Sequence, residues 1–129
     1  MKLLISTEKN SHFSVMLDGK VKTVEKPYKQ AEFLLKEIDK MKAKSELHGI
    51  IVVQGPGEFS ALRIGIATAN ALAKSWQVPL VGIKLKKSWL VLSEQDKLEK
   101  VWQAGVNRLD KGENDRQVMP FYDKEPNIT

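Results

Sequence analysis

Residues 49–73 read GIIVVQGPGEFSALRIGIATANALA. The run Gly49–Gln54 has no polar alternation, so it reads as a strand buried on both faces, as in a parallel α/β sheet. It enters the turn Gly55-Pro56-Gly57. Gly55 and Gly57 permit backbone angles closed to other residues, and Pro56 fixes the middle of the turn. A helix expected from Glu58 to Trp76 would be about 28 Å long. A strand, a glycine turn and a helix N-terminus can cradle an anion on free amides. The same order can also serve only to set a packing helix. The turn lacks the lysine and hydroxyl pair of a P-loop and does not match the dinucleotide fingerprint. Glu58 puts a negative charge in the first turn, which suits the macrodipole and weakens the case for a bound anion. Gly55 and Gly57 remain the candidate anion or nucleotide turn.

Along the helix, Ala61, Gly65, Ala69 and Ala73 recur every four residues as a ridge of small side chains. Gly65 costs about 1 kcal/mol of helix propensity relative to alanine, and close packing is the usual reason for accepting that. The ridge is expected to receive another helix, from this chain or a second one.

Working outward, Lys2–Ser6 is a short apolar strand. His12–Leu17 alternates, Asp18-Gly19 signals a hairpin, and Lys20–Glu25 alternates imperfectly, giving an antiparallel meander. From Tyr28 to Lys44 the period turns helical, with Ala31, Leu34, Leu35 and Ile38 on one side. Gln77-Val78-Pro79 ends the second helix and Leu80–Ile83 is a further buried strand. Ser93 can cap a short helix starting at Glu94, whose apolar side is Leu98, Val101 and Trp102. Asp110–Gln117 reads as a polar loop, and Val118–Tyr122 as an extended segment that docks. The two readable units are an α/β core over 1–83 and a C-terminal extension over 84–129.

Composition narrows the function. One domain fits 129 residues, and a hydrophobic fraction of 42% supports one core. There is no cysteine, hence no disulfide and no thiolate metal site. MKLLIST has too short an apolar run for a signal peptide, and no stretch approaches the roughly 18 apolar residues of a membrane helix. A cytoplasmic protein without membrane contact is expected. The net charge is +5 and the pI about 9.4. Lys20, Lys22, Lys26, Lys29, Lys84, Lys86 and Lys87 carry much of the excess, as a solvated surface or a patch for RNA or an acidic partner. In the sequence no aromatic residues interleave with them, and Trp76, Trp89 and Trp102 read as packing anchors. His12 and His48 lack metal-ligand spacing, Ser60 has no evident base, and no carboxylate pair stands out. No catalytic residue and no metal site are assigned.

GPGEFSALRIGIATANALAKSWQVPLVGI (55–83) resembles the GPGSFTGLRIG signature and following helix of the TsaB family, also called YeaZ. The resemblance extends in order over about residues 1–83, including Ser14-Val15-Met16-Leu17, and the ending Pro120-Phe121-Tyr122 is weakly similar. It implies an actin-like ATPase (ribonuclease H-like) fold: a mixed five-stranded sheet with an antiparallel meander and two main helices. It also implies a role in making threonylcarbamoyladenosine in tRNA. Family members are non-catalytic subunits that support a TsaD enzyme together with the ATPase TsaE. They pair through the first two helices with TsaD or with another copy of themselves. Carried over, that interface is Ala31, Leu34, Leu35 and Ile38 with Leu62, Arg63, Ile66, Ala69 and Asn70. tRNA would be met indirectly, and no cofactor is expected unless ATP sits at a junction with a partner.

Four departures qualify the likeness. Thr7 stands at the family's first-strand aspartate, and a neutral hydroxyl is a poor substitute for a metal-binding carboxylate, which argues against ATP hydrolysis. Gln30 is the nearest match to a family histidine, and Ala61 stands where the signature often has glycine. The family's second half is largely missing, so the chain looks like a minimal member. The rival readings are a weak nucleotide-binding or hydrolysing domain, a peptidase, and a direct tRNA-binding module.

Overall fold

The computed structural model describes residues 1–41 and 47–122. Strand β1 is Lys2–Ser6, β2 Phe13–Leu17, β3 Lys20–Val24, β4 Gly49–Gly55 and β5 Leu80–Lys84. They form one sheet in the order β3-β2-β1-β4-β5. The meander β1-β2-β3 is antiparallel, and β4 runs parallel to both β1 and β5. Asp18 and Gly19 take φ of 47° and 89°, the left-handed pair that a two-residue hairpin loop requires.

Helices cover both faces. Helix α1 is Gln30–Lys40, α2 Phe59–Trp76 and α3 Glu94–Asp110, with a 3-10 turn at Lys87–Trp89. The expected extension of α1 to Lys44 falls on residues outside those described. On one face, Leu34 and Ile38 of α1 and Leu62, Ile66, Ala69 and Ala73 of α2 close over Leu3, Ile5, Val15, Ile50 and Val52. On the other, Leu98 and Val101 of α3 close over Leu4, Met16, Ile51, Val53, Val81 and Ile83. The missing polar alternation of β4 follows directly, because its odd and even residues enter different cores.

Two expectations change. The helix after Ser93 is 17 residues, not short. Ser93 Oγ does cap it, accepting from Asp96 N at 3.2 Å. Its apolar pattern is broken at Gly105, but a Cβ there would press on the Ile51 side chain, so this glycine lets the helix lie close to β4. The polar stretch around Asp115 also does more than loop through solvent. Asp115 N donates to Leu80 O at 2.7 Å, and its carboxylate accepts from Gly82 N at 2.9 Å. Asn114 Oδ1 accepts from Leu80 N at 3.1 Å, and Arg108 donates to Gly82 O at 3.0 Å. The outer edge of β5 is thereby closed. Val118–Tyr122 docks as expected: Val118 is buried and Phe121 N donates to Gln54 O at 2.9 Å.

Candidate functional site

The carboxyl ends of the parallel strands β1, β4 and β5 bring together Thr7-Glu8, Gly55–Gly57 and Lys84–Trp89. This is where open α/β sheets place ligands. The chain itself fills much of the space around the glycine turn. A Cβ on Gly55, whose φ is +130°, would overlap the carbonyl oxygen of Phe121. A Cβ on Gly57 would come within 2.7 Å of Glu8 O and 2.9 Å of its Cα. One amide of the turn, Glu58 N, is already used by Glu8 O at 2.7 Å. The candidate anion turn therefore has a structural reason for both glycines. The backbone and Cβ of Glu8, an acidic residue, lie directly against the turn.

Thr7 lies at the end of β1, 1% exposed, with its hydroxyl unpartnered. It sits directly against Gly65: an added Cβ would overlap the Thr7 hydroxyl and lie 2.9 Å from both its Cβ and its methyl group. The ridge Ala61-Gly65-Ala69-Ala73, expected to receive a helix of this chain or of a second one, meets the chain's own β1 end at Gly65 instead. All four ridge residues are buried within the chain, and at Gly65 the helix lies so close to the end of β1 that a Cβ would not fit.

Glu8 is buried too, and its carboxylate pairs with the ammonium of Lys97 at 2.6 Å, across the sheet end to α3. Lys97 also binds Glu94 at 3.0 Å, and Glu94 lies 3.5 Å from His12 Nε2. Ser11 Oγ is 2.9 Å from His12 Nδ1. Burial lowers the Lys97 pKa, but its hydrogen bonds to Glu8 and Glu94 outweigh that and hold it above the ordinary lysine value. Burial likewise raises the Glu94 pKa, yet the Lys97 and His12 contacts leave it below the usual range. This chain of charges was invisible in the sequence because Glu8 and His12, in the loop between β1 and β2, lie far along the chain from Glu94–Lys97. Among the described residues, no cluster of three or more His, Asp or Glu could hold a metal. Gln30, at the family's histidine position, is buried and ties down the loop after β1 by donating to Lys9 O at 2.7 Å.

The nine interface candidates divide sharply. Leu34, Ile38, Leu62, Ile66 and Ala69 are core residues, each 4% exposed or less. Ala31, Leu35 and Arg63 are exposed, Leu35 by 53%. Asn70 is half-buried and holds the C-terminal segment, donating to Val118 O and accepting from Val118 N, both at 2.9 Å. The resemblance grouped them as an interface, whereas five of them lie on the apolar side of their helices, which here is the inward side. The outer surfaces of α1 and α2 instead present Ala31, Leu35, Phe59 and Arg63, with Phe59 49% exposed and stacked on Tyr122 at 5.2 Å. Arg63 lies over the Phe59 ring at 5.1 Å.

Two of the lysines lie over aromatic rings, one distant in sequence and one three residues on. Lys84 Nζ lies 4.6 Å from the Phe121 ring centroid, and Lys86 Nζ 5.4 Å from that of Trp89. Aromatic rings do interleave with this basic group, contrary to the expectation from the linear order.

Comparison with known proteins fits this framework. The family model described as "TsaD: tRNA N6-adenosine threonylcarbamoyltransferase" matches residues 26–97. The tRNA N6-adenosine threonylcarbamoyltransferase of Syntrophotalea carbinolica is 39% identical over 56 residues, 42% of this chain and 16% of that enzyme. The enzyme of the same name from Geotalea daltonii is 49% identical over 39 residues, 30% of this chain and 11% of that enzyme. The chain thus matches only about a sixth or less of the length of these curated relatives. Among solved structures, YeaZ from Pseudomonas aeruginosa superposes with a TM-score of 0.52 at 23% identity, covering 64% of this chain and 44% of YeaZ. The fold is the actin-like, ribonuclease H-like one that the resemblance to YeaZ implied. With its match running from just before α1 into α3, the chain belongs to the TsaD family, and it carries the fold of a YeaZ (TsaB) protein.

Proposed function

We propose that this chain acts in tRNA N6-threonylcarbamoyladenosine modification as a non-catalytic partner that binds a TsaD-like subunit through the outer surfaces of α1 and α2. The observation that carries the reading is the exposure of Leu35 and Phe59 on those surfaces, in the segment that the family model matches. Single exposed apolar residues are ordinary, but here two lie on the adjacent helices through which the resembling family pairs. A standard interface needs roughly 800 Å² per partner, which two helix faces can supply. Leu35, Ala31, Phe59 and Arg63 are the contact residues on this reading, and the buried five act by setting the helix positions. Thr7 in place of a carboxylate supports a subunit that does not hydrolyse ATP by itself. Any nucleotide would sit at a junction with the partner. The reading places the chain in the cytoplasm, with a TsaE-like ATPase as a third component and a homodimer as its state alone.

The test is sedimentation of the chain alone and mixed with a TsaD-like subunit. The double variant Ala31→Glu, Leu35→Asp keeps the core intact because both positions are exposed. It is expected to abolish co-sedimentation. Association undiminished in this variant would overturn the proposed face.

A further inference from the structure

The end of β5 and the turn behind it carry three lysines and two aromatic rings in one place. Lys84, Lys86 and Lys87 are exposed, and none has a carboxylate partner among the described residues. Trp89 and Phe121 are half-buried, each with a lysine ammonium over its ring. Beside them, Gln54, Lys84, Lys86, Trp89, Arg108 and Asp115 line a cavity of about 430 Å³. Arg108 there is taken up by both Asp115 and Glu113, so the cations left without a carboxylate partner among the described residues are the lysines. At the opposite edge of the sheet, Lys20 and Lys22 are equally exposed but lie over no ring.

We propose that this strip binds single-stranded RNA, with Lys84, Lys86 and Lys87 on phosphates and Trp89 and Phe121 on bases. The physical logic is an exchange. A cation over a ring at the surface is weakly held, so the ammonium can move to a phosphate, and its departure frees a π-face on which a base stacks. An acidic peptide would use the cations and leave the rings idle. A duplex would offer phosphates but hide its base faces. The inference does not rest on the partner reading, and it is tested on the chain alone, so its failure leaves that reading standing.

The probe is a fluorescently labelled, unstructured RNA of about 12 nucleotides, followed by anisotropy between about 50 and about 200 mM salt. Three phosphate contacts on a single strand predict an about 18-fold fall in affinity across that range. One remaining contact, in Lys84→Ala, Lys86→Ala, predicts an about 2.6-fold fall. Trp89→Leu is expected to weaken binding about tenfold at every salt concentration without changing the slope. The intact chain supplies a readout that needs no variant, since stacking on Trp89 quenches tryptophan emission. No binding at the lowest salt would overturn the proposal. So would an equal loss on Lys20→Ala, Lys22→Ala, which would mark a merely basic surface. Unchanged affinity in a folded Trp89→Leu, with polyglutamate competing as well as RNA does, would assign the strip to an acidic protein instead.

Discussion

Replacing Gly65 by alanine sets two effects against each other, and the structure decides which wins. Alanine gains about 1 kcal/mol of helix propensity over glycine. The new methyl group, however, meets Thr7 at its hydroxyl, its Cβ and its methyl group, the latter two at 2.9 Å. Rotating Thr7 cannot relieve this, because Cβ does not move with χ1. Either α2 or the end of β1 has to shift, and both belong to the sheet-helix core. Overpacking of this kind costs about 1–3 kcal/mol, so the net result is a loss of up to about 2 kcal/mol despite the better helix former. Thr7→Ala removes the overlapping hydroxyl and with it a buried unsatisfied polar atom. Combined with Gly65→Ala, it is expected to recover about 1 kcal/mol relative to the sum of the single changes, because the two sites touch. Urea unfolding of the four proteins of this cycle, at constant m, measures all of these values. A Gly65→Ala protein about 1 kcal/mol more stable than the parent would refute the reasoning. The small ridge would then face a space that the chain does not fill.

Other expectations concern the charge chain and the C-terminal segment. Lys97→Met leaves the buried Glu8 carboxylate unpaired and should lower stability by about 3–5 kcal/mol, with much of the loss restored on adding Glu8→Gln; thermal unfolding checks both. Asp115 is pushed up by burial but held below the usual carboxylate value by the Arg108 and Gly82 hydrogen bonds, and Glu94 is also lowered. Their contribution is complete above the unfolded value of about 4 and is lost as pH falls through the depressed folded values. Lys97, raised in the folded state, contributes fully below about pH 10.4 and loses its contribution as pH rises through its folded value. Tm against pH should therefore show a plateau that falls at both ends, and Asp115→Asn should flatten the acid limb. Asn70→Ala removes both hydrogen bonds to Val118 and should cost about 1–3 kcal/mol. Hydrogen exchange should report it first at the Phe121 amide, and unchanged protection there would show that Asn70 does not hold the segment.

Much of the architecture was legible in the chain order. Gly49–Gln54 could be read as a two-faced strand because it is uninterruptedly apolar, and Asp18-Gly19 as a hairpin because few other residues accept two positive φ angles. Ser93 marked the start of α3, and Gln77-Val78-Pro79 the end of α2. These signals are local: each depends on a few neighbouring residues and a fixed period. The GPGEFSALRIG segment likewise pointed to the right fold and family before any coordinate was placed.

Which way a face points was beyond those signals. The spacing of Ala61, Gly65, Ala69 and Ala73 establishes that something packs closely on α2, but not whether it belongs to this chain. Only the position of Thr7 at the end of β1 made it the chain's own sheet. The same holds for Leu62, Ile66 and Asn70, whose roles were settled by β4, β5 and Val118. The pairing of Glu8 with Lys97, and of Lys84 with Phe121, also waited on tertiary structure, because those groups meet only when the sheet brings distant segments to one end. Periodicity records that a side chain leaves water, and the topology of the sheet decides what it meets when it does.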